Sequence, residues 1–408
     1  MNLRTMKKYA QAVVELGVNV KEGQYVVINS SIRQSKFVHC LVEECYKRKA
    51  RFVKVEYSDD EVSKLTYKNV EEKTYIENTK QNLYRLRNYT KILPVQIYVE
   101  DSDPDVFKGI DISKAMKARI KTYPKVKKYR DMMENKYQWV IVAMPSKEWA
   151  KKVFPNDTPS VAFKKLEDAI LKTTRIDNNA VNNWKEHIKE LQEKSQILND
   201  LNLDYLEYKS SNGTDLKLKL MPNHQWISAR ENALGSNIDF TANMPTEEVF
   251  SMPSYDGVDG VVVSTKPLSL RGKLVEDFKV YFEKGRAYKV EARVGQEVLE
   301  ELLSDDEGSR HLGEVALVPY NSPINESGIL FFNTLFDENA ACHLAFGRAY
   351  ESCVKDADKY SEEELEKIGV NNSVIHVDFM IGTSDLEITG INKSGETVQI
   401  FSNGNWAF

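Results

Sequence analysis

The spacing of apolar residues predicts two kinds of structure in two successive parts of the chain. Up to about residue 200, segments with apolar residues every three or four positions alternate with short runs rich in β-branched residues. The first pattern is typical of amphipathic helices and the second of buried strands. The predicted helices span 5–20, 34–49, 163–173 and 184–198, and the predicted strands span 23–29, 51–57, 95–99 and 139–143.

The order of these elements indicates the architecture. Strand, helix and strand in succession form a βαβ unit with parallel strands. From residue 206 short strands alternate with Gly and Asn turns, and Asn212-Gly213 predicts a hairpin between 205–209 and 216–220. A chain of 408 residues also exceeds the usual size of a single core. We therefore predict an α/β fold with two α/β domains, an N-terminal βαβ-type domain over 1–205 and a C-terminal mixed-sheet domain over 206–408.

Composition and charge exclude several classes of protein. The 56 Lys and Arg residues against 61 Asp and Glu give a formal net charge of −5, which disfavours nucleic acid as a partner. No apolar run approaches the roughly 20 residues that span a bilayer, so no membrane partner is expected. The N-terminus runs into a helical pattern without a signal peptide, and the four cysteines lack CxxC spacing. We expect a cytoplasmic protein with reduced thiols.

The six histidines differ in their surroundings. His39 and His187 lie on predicted helices among polar residues, and we interpret both as surface or half-buried helix residues. The later histidines lie in turn-rich segments that also carry carboxylates. The region between Glu248 and Asp378 is therefore the candidate for a metal site.

The first segment of this region carries two adjacent glutamates, Glu247 and Glu248. Pro245 restricts the residue before it to extended geometry and stiffens the turn that presents the two carboxylates. The alternative is a helix start in which Thr246 is the N-cap and the glutamates interact with the helix dipole. The segment by itself fits both interpretations.

The second segment places Glu314 in a run of residues suited to a buried strand. Burying a carboxylate is costly unless the group is paired or binds a metal. An edge strand whose Glu314 faces water is the alternative. His311, three positions earlier, either lines the same region or lies on a loop.

The third segment, 335–350, is predicted to be an acidic turn followed by a helix of small residues. Glu338 and His343 need a non-helical start in order to converge, since five positions correspond to about one and a half helical turns. His343 and Tyr350 are seven positions apart, which places both on one face of the predicted helix. The alternative is a core histidine beside a tyrosine on the same stripe.

The fourth segment predicts a strand with two ligands on one face. His376 and Asp378 are two positions apart, so their side chains project together from a strand. A half-buried strand with its polar face in water is the alternative. Together the four segments supply carboxylates and imidazoles, the ligands that suit zinc, cobalt or manganese, without the cysteine spacing of a structural zinc site.

These four segments, in this order, resemble the thermophilic-type bacterial metalloaminopeptidases. The resemblance extends over the whole chain, from 22–24 to 384–388 and 403–405. It implies a homodimer with a di-metal site in the C-terminal, catalytic domain and two divalent ions per subunit, either Zn, Co, Mn or Mg. The metal ligands that it implies are Glu248, Glu314, His343, His376 and Asp378, with Glu338 as a further ligand and Tyr350 at the active centre.

The resemblance also predicts the reaction. Two ions about 3.5–4 Å apart would activate a water molecule and polarise the scissile carbonyl of a peptide substrate. We expect Glu314 to reach both ions and Tyr350 to donate to the oxyanion. Either Glu247 or Glu248 is the general base, and the role falls to Glu247 if Glu248 is a metal ligand. The predicted function is therefore a metal-dependent aminopeptidase.

Two other functions stay open at this point. Cys342 beside His343 suggests a cysteine amidohydrolase, although adjacent residues on a helix diverge by roughly 100°. A serine amidohydrolase is disfavoured because no GxSxG elbow occurs. The other alternative is a metal-stabilised peptide-binding protein without hydrolytic activity.

Overall fold

The chain folds into two compact units. The computed structural model describes residues 1–101, 103–271 and 273–408. Unit 1 comprises Met1–Glu186 and Arg230–Pro245, and unit 2 comprises His187–Ala229 and Thr246–Phe408. Each unit thus combines two separate stretches of sequence.

The described residues form α-helices and β-strands in alternation. The helices are α1 (Leu3–Ala12), α2 (Ser35–Lys47), α3 (Asp60–Asn69), α4 (Glu72–Ile92), α5 (Ser113–Asp131), α6 (Lys147–Val153), α7 (Pro159–Thr173), α8 (Ala180–Leu201), α9 (Gln296–Leu302), α10 (Pro323–Glu326), α11 (Thr334–Asp337) and α12 (Glu362–Lys367). The strands are β1 (Tyr25–Ser31), β2 (Phe52–Ser58), β3 (Val95–Glu100), β4 (Trp139–Ala143), β5 (Leu203–Lys209), β6 (Asp215–Leu220), β7 (Glu231–Ala233), β8 (Ile238–Phe240), β9 (Asn243–Met244), β10 (Val249–Ser251), β11 (Pro253–Val263), β12 (Leu268–Leu270), β13 (Lys273–Glu283), β14 (Arg286–Val294), β15 (Leu312–Leu317), β16 (His343–Gly347), β17 (His376–Met380), β18 (Glu387–Asn392), β19 (Thr397–Ser402) and β20 (Asn405–Trp406). Of these helices, none combines the length and the apolar character needed to cross a bilayer.

Unit 1 is built on a parallel sheet. Its strands lie in the order β2-β1-β3-β4-β9, and each adjacent pair is parallel. The centre of the sheet is apolar, with Ile28, Ile97 and Val140 fully buried. Parallel sheets are covered on both faces, and the inner strands β1, β3 and β4 are accordingly more buried than the edge strand β2. The predicted βαβ architecture of the first part is confirmed.

Unit 2 contains a large antiparallel sheet. Its strand order is β12-β13-β11-β6-β5-β18-β19-β20, with β14 paired to β13. The predicted hairpin at Asn212-Gly213 is present, since Tyr205 pairs with Lys219 and Lys209 with Asp215. The α/β class is confirmed. The strand pairs described in unit 2 are antiparallel, whereas the prediction was a mixed sheet.

A second, smaller sheet of unit 2 has the order β10-β15-β16-β17. One of its faces is aromatic: the rings of Phe346 and Phe379 are stacked with their centroids 4.7 Å apart. These rings contact side chains of β13: the ring centroids of Phe278 and Phe379 are 5.7 Å apart, and those of Phe282 and Phe346 are 6.3 Å apart. The aromatic face therefore packs the small sheet against the large one and leaves its other face for polar residues.

The predicted helix over 335–350 is wrong. Helix α11 ends at Asp337, a 3₁₀ turn covers Glu338–Ala340, and strand β16 follows from His343 to Gly347. The alanines favour a helix intrinsically, but this preference is weak and tertiary pairing overrides it. Strand β16 is paired on both sides, with β15 and with β17, and every residue of it is buried.

We expect the aromatic face to contribute strongly to folding stability. Replacing Phe379, which is 1% exposed, by Ala should lower the free energy of unfolding by about 3–5 kcal/mol, because the substitution leaves a cavity. Denaturant unfolding monitored by circular dichroism measures this change. As a control, Val374→Ala should have little effect, since Val374 is 79% exposed. Equal effects of the two substitutions would contradict this account of the core.

Candidate metal centre

The free face of the small sheet carries the predicted ligands. Side chains alternate along a strand, so His376 and Asp378 of β17 project from the same face, as predicted. Ala345 of β16 pairs with Asp378 on one side and with Glu314 of β15 on the other, which places all three on that face. His343, two positions before Ala345, points the same way. Three neighbouring strands thus present four of the predicted ligands in register.

Small residues allow these strands to approach one another closely. Ala345 lies between Glu314 and Asp378, and its methyl group leaves room for the longer side chains on both sides. The register shifts between Leu312 and Glu314, as at a β-bulge. A Cβ atom at Gly313 would lie 2.2 Å from the carbonyl oxygen of Gly347, so only glycine fits there. The bulge sets the direction in which Glu314 projects.

The first ligand group is centred on His343. Its Nε2 atom lies 3.3 Å from Oε2 of Glu248 and 3.3 Å from Oε1 of Glu314. Glu248 immediately precedes β10, so the helix start with Thr246 as N-cap is wrong. Glu314 is 5% exposed on a strand with partners on both sides, so the water-facing edge strand is also wrong.

The second ligand group is centred on His376. Its Nε2 atom lies 3.3 Å from Oδ1 of Asp378 and 3.6 Å from Oε2 of Glu314. In both groups, one ligand atom of each member lies within 4.8 Å of the others. The two oxygens of Glu314 therefore face different histidines, and this residue belongs to both groups.

Backbone carbonyls orient the two imidazoles. Nδ1 of His343 lies 3.2 Å from the carbonyl oxygen of Ala341, and Nδ1 of His376 lies 2.7 Å from that of Arg348. Since a carbonyl only accepts, each Nδ1 carries the hydrogen. When the ring is neutral, the lone pair is on Nε2, which faces the carboxylates. This is the usual arrangement of metal-binding histidines.

Tyr350 reaches the site from a loop and not from a helix. Its ring centroid lies 4.7 Å from that of His376 and 6.1 Å from that of Phe250. The chain turns at Gly347, whose φ of +92° favours glycine, and the N–H of Arg348 donates to Ile375 O at 2.7 Å. The predicted helix face shared by His343 and Tyr350 is wrong, and the histidine that the Tyr350 ring contacts is His376.

Three other predicted or considered residues lie outside the two groups. Glu338 is close enough for its charge to interact with those of Asp378 and Glu248. Glu247 is buried, and its Oε2 lies 3.7 Å from Nε2 of His187. His311 stacks on Tyr255 with ring centroids 3.7 Å apart, and its Nδ1 donates to Tyr255 O, so its environment is structural.

The electrostatics of the site favour added positive charge. Burial raises the pKa of Glu314, and the neighbouring imidazoles of His343 and His376 offset this only in part. Burial, together with the charges of Asp378 and Glu248, raises the pKa of Glu338 well above its ordinary value. Buried carboxyl groups at this density are unstable as anions without a cation close by.

In the two histidines, burial and the neighbouring carboxylates shift the pKa in opposite directions. Burial alone would lower the pKa of His343, but its bonds to Glu248 and Glu314 raise it well above the ordinary value. Burial likewise lowers the pKa of His376, but the hydrogen bond to the Asp378 carboxylate and its negative charge raise that pKa overall, to about 9. Burial would also raise the pKa of Asp378, but the hydrogen bond from His376 lowers it overall. The imidazoles supply the positive charge that divalent metals would supply in their place, and the carboxylate and imidazole donors suit such metals.

Comparison with known proteins identifies the family. Residues 3–406 match the thermophilic metalloprotease family, M29. The chain belongs to this family. It is 44% identical to aminopeptidase AmpS of Bacillus subtilis, covering 99% of this chain and 98% of the relative. It is 40% identical to aminopeptidase PepS of Streptococcus thermophilus, over 98% of this chain and 97% of that relative. The solved structure of wild-type AmpT from Thermus thermophilus matches with a TM-score of 0.88, 33% identity and 99% coverage of both chains.

Membership of the M29 family confirms the predicted resemblance. The predicted function, a metal-dependent aminopeptidase that hydrolyses peptide bonds, is confirmed by the family and by its relatives. The alternative of a binding protein without hydrolytic activity is not favoured. M29 membership also implies the use of divalent metal and of peptide substrates.

Cys342 is not a nucleophile in this M29 peptidase. It directly precedes strand β16, where adjacent side chains point to opposite faces, so it projects away from His343. Its thiol is buried and donates to the carbonyl oxygen of Val318 at 3.3 Å. Burial raises the pKa of this thiol to about 12, which keeps it protonated.

Sequence analysis missed two buried residues next to the site. His187 is 6% exposed, so its interpretation as a surface or half-buried residue is wrong. It belongs to a buried stripe of α8 with Trp184, Ile188 and Leu191, a helical spacing visible in the sequence. Asn339, which is fully buried, follows Glu338 and accepts a hydrogen bond from the backbone of Glu247.

We expect the metal-free M29 protein to lose stability as the pH rises through about 9. The pKa of His376 is raised from about 6.5 when unfolded to about 9 when folded. Its stabilising contribution is therefore complete below about pH 6.5 and is lost through about pH 9, an effect of up to about 3 kcal/mol. The raised pKa of Glu314 acts in the same direction.

Denaturant unfolding in a chelator, at pH values from about 6 to 10, measures this loss. His376→Gln should make the dependence between about pH 7 and 9 shallower, since the variant lacks the contribution of the His376 imidazole and keeps that of His343. A stability of the parent protein that stays constant over this range would contradict the proposed pairing of His376 with Asp378.

Proposed function

We propose that this chain removes N-terminal residues from peptides at a site that holds two divalent ions. The observation that carries the proposal is Glu314, whose two carboxylate oxygens face separate ligand groups. A carboxylate that reaches two ions is the usual bridge of a co-catalytic pair. The names of the relatives AmpS and PepS, both aminopeptidases, support the choice of substrate.

The proposed ligands divide between the two ions. Glu248 and His343 would hold one ion, His376 and Asp378 would hold the other, and Glu314 would bind both. Glu338 is proposed as a further ligand, because its charge interacts with those of both groups. Carboxylate and imidazole donors in this ratio suit Zn, Co or Mn, and a carboxylate-rich set also accepts Mg.

The remaining residues would act on the substrate. Bound divalent ions supply Lewis acidity and lower the pKa of a coordinated water. Glu247 would accept the proton of the attacking water and pass it to the departing amine. The hydroxyl group of Tyr350 would donate to the oxyanion of the tetrahedral intermediate. Carboxylates not engaged by metal would bind the free α-ammonium group of the peptide.

For the larger organisation we propose what the sequence predicted. We propose that residues 206–408 form the catalytic domain, and that the protein is a cytoplasmic homodimer. The support for these points is the resemblance in sequence and the position of every proposed ligand in unit 2. Oligomeric state and location stay predictions.

We expect removal of metal to abolish peptidase activity. Treatment with a chelator should stop the hydrolysis of aminoacyl-anilides, and added zinc or cobalt should restore it, because the activated water depends on the ions. Elemental analysis of the purified protein gives the number of ions bound per chain. Activity that survives chelation but is lost on alkylation of thiols would refute the metal mechanism.

Two matched substitutions distinguish the proposed role of Glu247 from that of Glu338. Glu247→Gln should lower kcat about 10²–10⁴-fold and leave metal content unchanged, as expected for a general base. Glu338→Gln should weaken metal binding, as expected for a ligand. Steady-state kinetics together with metal analysis distinguishes the two effects. Unchanged turnover of Glu247→Gln would exclude Glu247 as the base.

A further inference from the structure

Both polar groups of one buried peptide unit are bound by side chains. The carbonyl oxygen of Thr246 lies 2.7 Å from Nε2 of His187. The N–H of Glu247, which belongs to the same peptide unit, donates to Oδ1 of Asn339 at 2.8 Å. Since a carbonyl only accepts, Nε2 of His187 carries the hydrogen in this bond. We call this arrangement the peptide clamp.

The two side chains of the peptide clamp come from distant parts of unit 2. His187 lies on α8 and Asn339 in the 3₁₀ turn that follows α11. Nδ2 of Asn339 also donates to the carbonyl oxygen of Leu335 at 3.1 Å, which fixes the orientation of its amide. Both residues are buried, at 6% and 0% exposure. If either side chain moved, a buried N–H or C=O group of the peptide unit would lose its hydrogen-bond partner, which is costly.

The peptide clamp fixes the direction of the residues that follow it. In a planar trans peptide the C=O and N–H groups point in opposite directions, so binding at both edges fixes the orientation of the plane. That plane determines where the Cα atom of Glu247 lies. On its other side Glu248 is followed directly by Val249, which pairs with Leu317 of β15, so Glu248 is held between two fixed points. Asn339 directly follows Glu338 in sequence. The clamp thus ties together the two segments that bring Glu248 and Glu338 to the sheet.

We propose that His187 is a positioning residue that holds Glu248 in the first ligand group through this peptide unit. The inference rests on the proposed function, because it takes Glu248 to be a metal ligand. His187 also lies 3.7 Å from Oε2 of Glu247, so the same ring restrains the neighbouring carboxylate. Side chains that orient a ligand from behind typically contribute about 10- to 100-fold to metal affinity.

A metal titration of the full-length, chelator-treated protein tests the proposal. Zinc or cobalt alone is the probe, and competition with a chromophoric chelator measures the affinity of each class of site. Glu248→Gln and Asp378→Asn define the two classes, since each removes a proposed ligand of a different group. His187→Leu should weaken by about 10- to 100-fold the class that Glu248→Gln weakens, and should spare the other.

His224 provides the matched control. It is also 6% exposed in unit 2, and its Nδ1 lies 2.7 Å from the carbonyl oxygen of Met221, but it belongs to neither ligand group. His224→Leu therefore removes an equivalent buried hydrogen bond and should leave both metal affinities unchanged. His187→Gln, which keeps an N–H donor at similar reach, should restore most of the affinity lost in His187→Leu.

The affinities of His187→Leu test the positioning role of His187, and those of Glu248→Gln test the proposed ligand set. If Glu248→Gln weakens one class of site and His187→Leu weakens neither, the role of His187 is overturned. It is also overturned if His187→Leu weakens both classes equally. If Glu248→Gln leaves both affinities unchanged, the proposed ligand set itself fails. Should His187→Leu not fold, Asn339→Ala breaks the other edge of the peptide clamp, and the same selective loss is required of it.

Discussion

The structure around the site depends on how the charge of one buried carboxylate is balanced. Glu314 lies on an inner strand, is 5% exposed, and is within 4 Å of both His343 and His376. A carboxylate removed from water in this way is stable only beside positive charge. The carboxylates of Glu248, Glu314 and Asp378 raise the pKa values of the two histidines, so that the imidazoles can carry this positive charge. Divalent ions would meet the same requirement, so folding and metal binding draw on the same interaction.

One face of the small sheet packs into the core, and the opposite face presents the proposed metal ligands. On one face Phe346 and Phe379 pack against Phe278 of the large sheet, which anchors the strands in the core of unit 2. On the other face the proposed ligands project from positions fixed by the strand register. Ligands on paired strands are held more precisely than ligands on loops. This explains how four of them can converge with little conformational freedom.

The parts of the site outside the sheet need other means of support. Glu248 precedes its strand, and its position follows from the peptide unit bound by His187 and Asn339. Tyr350 lies beyond the turn at Gly347, and its ring rests against His376. Tyr350 is 47% exposed, in contrast to the buried histidine and carboxylates of the first group.

The sequence by itself determined the features that depend on local periodicity. The βαβ alternation, the hairpin at Asn212-Gly213 and the shared face of His376 and Asp378 all follow from spacings of a few residues. The four ordered motifs also carried the family, because their combination is far more specific than any single one. The predicted boundary near residue 205 stays a prediction, while the compact units observed each combine two stretches of sequence.

Tertiary structure decided what depends on distant partners. Residues 343–347 form a strand because β15 and β17 flank them, although the alanines at 340, 341 and 345 favour a helix over this segment. His187 is next to the site because α8 meets a turn 59 positions later in the chain. No spacing within the sequence encodes that contact. Local patterns specify which face of an element is polar, whereas the pairing of remote segments decides which polar groups come together and how buried they are.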